Sequence, residues 1–200
     1  MMSAPPAAAA ILAQMPTVFS LADLKQRMAD EAHRAMDWLL EWLDGGLVQQ
    51  VAPPRPVFLR ADGEPLTDQD LCQALLRAFP SVVIVGGSAL WRQQASSQQD
   101  MYLDCCVHER ERDCILPDVR LHWRPEAWWD ALRQSGGVAG SHHGIPLLSV
   151  EQALADATTF TDVWMPDQDA IDWQGFSSSR LLEVKNRLKP LVTPQRQTEI

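Results

Sequence analysis

The sequence predicts an α+β protein: an N-terminal helical unit closed by a β-hairpin, followed by a small mixed α+β domain. Three observations carry this. Capped amphipathic helices crowd the first third, which ends in two short apolar segments around a Pro-rich turn. Short apolar and alternating segments then interleave with helical ones over residues 81–160. The 200 residues are 46% hydrophobic and 22% charged, which suits one large or two small domains. The boundaries read as 1–16, a leader with a short helix; 17–64, the helical unit with its hairpin; 65–176, the α+β domain; and 177–200, a basic helix and tail.

Residues 6–15 form a short apolar helix. Ser20 followed by Asp23 is a capping-box pattern, with Leu21, Leu24 and Met28 on one face of the helix it opens. After a turn at Ala29–Asp30, DEAHRAMDWLLEWLDGG reads as one strong helix with an apolar stripe of Ala32, Met36, Leu39, Leu40 and Leu43. Its outward residues include Glu31, His33, Arg34, Asp37, Trp38 and Glu41, and Gly45-Gly46 stops it. LVQQVA and VFLR pair across PPRP, and ADGEP closes the unit. Helix, helix, turn, helix and hairpin is the order of a winged helix-turn-helix, and "WLLEWLDGGLVQQV…VFLR" is similar to winged-helix regulators. A recognition helix in that fold would offer His33 and Arg34 to DNA, with Lys25 and Arg27 from the helix before it and Arg55 and Arg60 from the wing.

The second part begins with a capped helix at 65–80, Thr67 as its N-cap. SVVIV, MYLDCCV, DVRLHW and HHGIPLLS read as strands; GSALWRQQ, PEAWWDALRQSG and VEQALADATTF read as helices, with GVAG as a turn. SSSRLLEVKNRLKPL is a basic helix broken at Pro190. Arg120, His122 and Arg124 alternate with Val119, Leu121 and Trp123, so they share one side of a strand. They are a candidate basic face, and a solvent-facing row is the simpler reading.

VVIVGGSALWRQQASSQQDMYLD has the outline of a nucleotidyltransferase: strand, glycine pair, helix, then a carboxylate-bearing strand. That chemistry needs two carboxylates two residues apart, to bridge metal ions. After Asp100 the second position is Tyr102, and Asp104 lies roughly 13 Å from Asp100 along an extended strand. The outline therefore predicts a fold element without the enzyme, and neither metal nor cofactor is expected. Cys105, Cys106, His108 and Cys114 lack paired metal-knuckle spacing, and adjacent cysteines on a strand face opposite ways. His142-His143 reads as a solvated turn, and residues 108–113 as a polar loop. The pairs Trp38/Trp42 and Trp128/Trp129 read as packing or interface anchors.

The net charge is −9, split as −3 over residues 1–66, −9 over 67–176 and +3 over 177–200. An acidic body excludes indiscriminate nucleic-acid binding, so any DNA contact rests on the few cations named. No apolar run approaches the ~20 residues of a membrane span. The N-terminus has no basic segment or long apolar core of a signal peptide, and the cysteines form no disulfide pattern, so a reducing cytoplasm fits.

Several short motifs point one way. Ser88-Ala89-Leu90 opens a helix, Val119-Arg120-Leu121-His122 forms a strand, and Gly144, Pro146, Leu147, Ser149, Glu151, Ala153, Leu154 and Asp156 form a spaced run. Behind a winged helix this set resembles the AbiEi family, antitoxins of type IV toxin–antitoxin systems, over residues 17–165. Gln152 and Trp91-Arg92-Gln93 depart from that family's pattern. The resemblance implies a DNA-binding autorepressor that binds its own operator cooperatively, with possible homodimers. It also implies an antitoxin that acts against a cognate nucleotidyltransferase toxin without stably binding it. A protein-interaction module with a winged helix that no longer reads DNA is the alternative.

Overall fold

A computed structural model describes residues 6–61 and 65–191 of the chain. It divides into two compact units, Met1–Pro80 with Asp113–Leu116, and Ser81–Arg112 with Pro117–Ile200. Both are mixed α+β, each with its own sheet. The helix expected to head the second domain belongs to the first unit, because it packs on strands of that unit's sheet.

The first unit runs α1 (Pro6–Gln14), β1 (Val18–Ser20), α2 (Leu21–Met28), a 3-10 turn (Ala29–Arg34), α3 (Ala35–Asp44), β2 (Val48–Gln50), β3 (Val57–Arg60) and α4 (Asp68–Ala78). The predicted Ser20–Asp23 capping box forms, Asp23 N–H donating to Ser20 Oγ at 3.2 Å, and the predicted N-cap Thr67 accepts from Asp70 N–H at 3.1 Å, with Asp70 completing a second box that the structure adds. β1 and β2 flank β3, antiparallel on both sides. The core beneath this sheet gathers Phe19, Leu24, Met28, Trp38, Leu39, Trp42 and Phe58.

The helix predicted as continuous from residue 30 is broken. Ala29 adopts φ +46° and residues 29–34 wind as 3-10, so α3 starts only at Ala35. The buried face also differs: it is Ala35, Trp38, Leu39 and Trp42, while Met36 and Leu40 are exposed. Spacings of three, four and seven support either stripe. The indoles win because they remove far more apolar area from water than Met36 and Leu40 would. Trp38 is therefore not an outward residue, and neither Trp38 nor Trp42 is an exposed interface anchor. Residues 1–5 of the predicted leader, residues 62–64 of the ADGEP segment and residues 192–200 of the basic tail lie outside the described residues.

The second unit runs β4 (Val83–Ile84), α5 (Gly86–Arg92), β5 (Leu103–Val107), β6 (Val119–Trp123), α6 (Glu126–Ser135), β7 (Val138–His142), β8 (Ile145–Leu148), α7 (Val150–Thr159) and α8 (Ser178–Leu188). Its sheet order is β6-β5-β4-β8-β7. β5 pairs parallel with β6, β4 pairs parallel with β8, and the other two pairings are antiparallel. Residues 138–140 of the GVAG segment, expected as a turn, instead open β7, which forms a hairpin with β8 across His143-Gly144. Every residue of β5 is buried, as suits the inner part of a covered sheet. Residues 152–157 of α7 are buried too, including the polar Gln152 and Asp156. No helix among the described residues is long and apolar enough to cross a membrane.

Candidate functional site

The polar centre of the second unit is built on β5 and β6. In their parallel register Asp104 lies opposite Arg120 and Cys106 opposite His122. Alternation then puts Asp104, Arg120 and His122 on one side of the sheet. Asp104 has no solvent exposure. Arg120 grips it bidentately, Nε donating to Oδ1 at 2.8 Å and Nη2 to Oδ2 at 2.7 Å. His122 Nε2 lies 2.8 Å from the same Oδ1. The Asp104 amide donates to Ser88 Oγ at 3.0 Å, and that hydroxyl donates on to the Tyr102 carbonyl at 3.1 Å. Arg120 also pairs with Asp100 and lies over the Tyr102 ring, 4.7 Å from its centroid. Asp100 and Asp104 thus converge on one guanidinium. They are not spread along an extended strand as expected, because β5 begins only at Leu103 and the chain bends before it.

A second knot sits just past the end of β6. Arg124 is 1% exposed, and all five N–H donors of its guanidinium are used. Nε and Nη2 donate to Asp156 at 3.2 and 3.0 Å; Nη1 and Nη2 donate to Asp162 at 2.9 Å each; Nη1 also donates to the Trp123 carbonyl at 3.1 Å. Phe160 lies against its face, 4.2 Å to the centroid. Trp128 Nε1 donates to Asp156 Oδ1 at 2.7 Å. His122 joins the two knots, its Nδ1 being 3.3 Å from Asp162.

The electrostatics follow from this wiring. Burial alone would lower the His122 pKa, but the carboxylates on both ring nitrogens raise it above the usual imidazole value. Burial pulls the Asp162 carboxyl upward, yet His122 and Arg124 hold it well below the ordinary carboxylate range. Burial also acts against the Arg124 charge, and its surrounding anions more than restore it. Arg120, His122 and Arg124 are therefore not a solvent-facing basic row. They turn inward because β6 presents that side to buried Asp104 and to the Asp156 that α7 carries into the core. A divalent cation at Asp104 would have to displace both a bidentate guanidinium and an imidazole.

The glycine pair opens α5 with Gly86 at φ +55°. The Gly87 amide donates to the Trp164 carbonyl at 2.9 Å. A Cβ on Gly86 would come 2.1 Å from Val163 Cγ1, and one on Gly87 would come 2.2 Å from the Trp164 ring. The glycines thus make room for the chain's own segment 163–164. Of the network, the sequence marked Arg120, His122 and Arg124 as one face but missed their acceptors Asp104, Asp156 and Asp162. One signal was there: a lone aspartate in the otherwise apolar LDCCV. None of the four cysteines forms a disulfide, and Cys72, Cys105 and Cys106 are buried. The 108–113 segment is a loop in which Arg112 Nε donates to the Leu121 carbonyl at 2.9 Å and Arg110 lies over Trp123.

The six cations expected to meet DNA do not form one set. Lys25 and Arg27 are exposed in the last turn of α2, and His33 and Arg34 are exposed on the 3-10 turn. Arg34 also pairs with Glu31 at 2.9 Å and packs over Trp38. Arg60 Nη1 instead donates to the Ala13 and Met15 carbonyls at 3.2 and 2.9 Å, tying α1 to the sheet. Arg55 is half-buried over the Phe79 ring, at 4.4 Å. Those two are held by the fold because the hairpin lies against α1 and α4, not out in solvent.

No protein-family model matches the chain, and no curated protein does. Among solved structures, the RV2827C protein from Mycobacterium tuberculosis is similar, with 18% sequence identity and a TM-score of 0.50. The match covers 97% of this chain and 81% of that one, and at this identity the likeness speaks to the α+β fold alone.

Proposed function

We propose that the chain is a non-catalytic, DNA-binding regulator of the antitoxin type, with a winged helix as its first unit. The observation that carries this reading is the order of the three-stranded sheet. β1, which precedes the two helices of the helix-turn-helix, pairs with the returning strand of the hairpin, giving β1-β3-β2. That arrangement suits a winged helix, with β2 and β3 as the wing. Lys25, Arg27, His33 and Arg34 are the residues that reach phosphates or base edges, and operator DNA is the partner.

The second unit supports a role without chemistry. Its one carboxylate on the nucleotidyltransferase-like strand, Asp104, is saturated by Arg120 and His122, and Tyr102 stands two residues before it. Ser88, Arg120 and Asp156, all motif positions of the AbiEi resemblance, are hydrogen-bonding members of this network. In this reading the motif preserves an architecture, and a separate nucleotidyltransferase toxin is the functional counterpart.

The test is fluorescence anisotropy of the protein with the duplex upstream of its own gene and with a scrambled duplex, at two salt concentrations. Specific binding that weakens steeply with salt is expected, and Arg34→Ala should weaken it while the fold stays intact. Equal binding to both duplexes, or none, rejects the repressor. A labelled-nucleotide assay with Mg²⁺ should show no transfer.

A second reading, a winged helix that meets protein and not DNA, is favoured by one feature. α3 carries no Lys or Arg, and its outward face is apolar and acidic.

A further inference from the structure

We propose that the outward face of α3 is a docking surface for a basic amphipathic helix supplied by another protein. The inference deepens the protein-meeting reading of the winged helix and rests on it. It leaves the exposed cations Lys25, Arg27, His33 and Arg34, which all precede α3, free to serve DNA.

The face is defined by what α3 buries. Ala35, Trp38, Leu39 and Trp42 fill the core. The opposite side then carries Met36, Asp37, Leu40, Glu41 and Asp44, and Leu47 is exposed in the turn that follows the helix. Met36 is 46%, Leu40 57% and Leu47 41% exposed. Met36 and Leu40 stack one turn apart, with Asp37 and Glu41 forming the adjacent row. None of Asp37, Glu41 or Asp44 forms an ion pair with a described residue, whereas Glu31 is engaged with Arg34.

The chemistry selects the occupant. Duplex DNA would set its phosphates against three carboxylates with no cation on the helix to offset them. A second copy docking through the same face would bring two sets of three carboxylates into one interface, with no Lys or Arg on either helix to offset them. A helix with Leu-type residues on one stripe and Lys or Arg beside it satisfies both features at once. Its apolar stripe covers Met36 and Leu40, and its cations meet Asp37, Glu41 and Asp44. The unbranched Met36 side chain adapts to such a partner.

The experiment uses the full chain and a fluorescein-labelled synthetic Leu/Lys amphipathic helix. A peptide of the same composition, permuted so that its leucines no longer align, is the control. The aligned peptide should bind about tenfold or more tighter than the permuted one, and Leu40→Ser should remove about that factor. Asp37→Asn with Glu41→Gln should weaken binding and flatten its salt dependence. The positions are exposed, so circular dichroism and unfolding should match the parent.

No binding by the aligned peptide, equal binding of the two peptides, or binding indifferent to Leu40→Ser overturns the proposal. Two further results would reassign the face. If Leu40→Ser alters affinity for duplex DNA, the face reads DNA. If sedimentation shows a dimer that Leu40→Ser dissolves, its occupant is a second copy.

Discussion

Two rows of cations look alike in the sequence and end in opposite situations. Lys25, Arg27, His33 and Arg34 lie exposed along α2 and the 3-10 turn. Arg120, His122 and Arg124 point into the second unit, where Asp104, Asp156 and Asp162 bind them. The first row is a surface that a ligand can use, and the second is a lock that the protein uses itself. What separates them is burial, of His122 and Arg124 themselves and, for the part-exposed Arg120, of its partner Asp104. A buried charge is tolerable only when paired, and once paired, breaking it costs more than forming it gained. An exposed pair such as Arg34–Glu31 contributes ~1 kcal/mol or less and can be traded for another partner.

The sharpest way to break this contrast is Arg124→Met. It leaves fully buried Asp156 without its counter-charge, while half-exposed Asp162 keeps His122, and should cost about 3–5 kcal/mol in urea unfolding. A cost near that of an exposed pair would mean that the knot is not structural. Gly87→Ala comes next. Its Cβ would meet the Trp164 ring, so a loss of about 1–3 kcal/mol is expected, with altered tryptophan emission as the segment moves.

Between the two rows in size is Arg60→Ala, which frees the Ala13 and Met15 carbonyls and should cost about 1–2 kcal/mol. Arg34→Ala should stay within about 0.5 kcal/mol of the parent while still weakening DNA binding.

The lock should also show in the pH dependence of stability. The folded pKa of His122 is raised above 6.5, so its contribution is fully present below that value. The contribution is lost as pH rises through the folded pKa. Asp162 works in the opposite sense. Its folded pKa lies below 3.8, so its contribution is present above that value and is lost as pH falls toward the folded pKa. His122→Gln should therefore flatten the alkaline limb selectively in an unfolding series. An unchanged alkaline limb would show that His122 does not bridge the two knots in solution.

Legibility in the sequence followed the range of the interactions involved. The Ser20–Asp23 capping box and the Thr67 N-cap were readable, because each acts within a single helical turn. The alternation of β6 was readable for the same reason. The phase of α3 was not, since its periodicity allows two stripes and only packing against Phe19 and Phe58 selects the one with the tryptophans. The fate of Arg60 was hidden as well: its carbonyl acceptors lie more than forty residues away in the chain.

By itself, then, the sequence determined where the capped helices α2 and α4 begin, that β6 alternates, and which of its cations share a side. Those properties depend on neighbours within a few residues. Only the tertiary structure decided which side faces inward and what meets it there. Asp104 opposes Arg120 because two strands run parallel in one register, and Asp156 reaches Arg124 because α7 is buried in the same unit. A guanidinium on β6 is the same residue whether it meets water or a buried carboxylate. Its dielectric surroundings, set by chain segments far away in sequence, make it a structural tie and leave Arg34 at the surface.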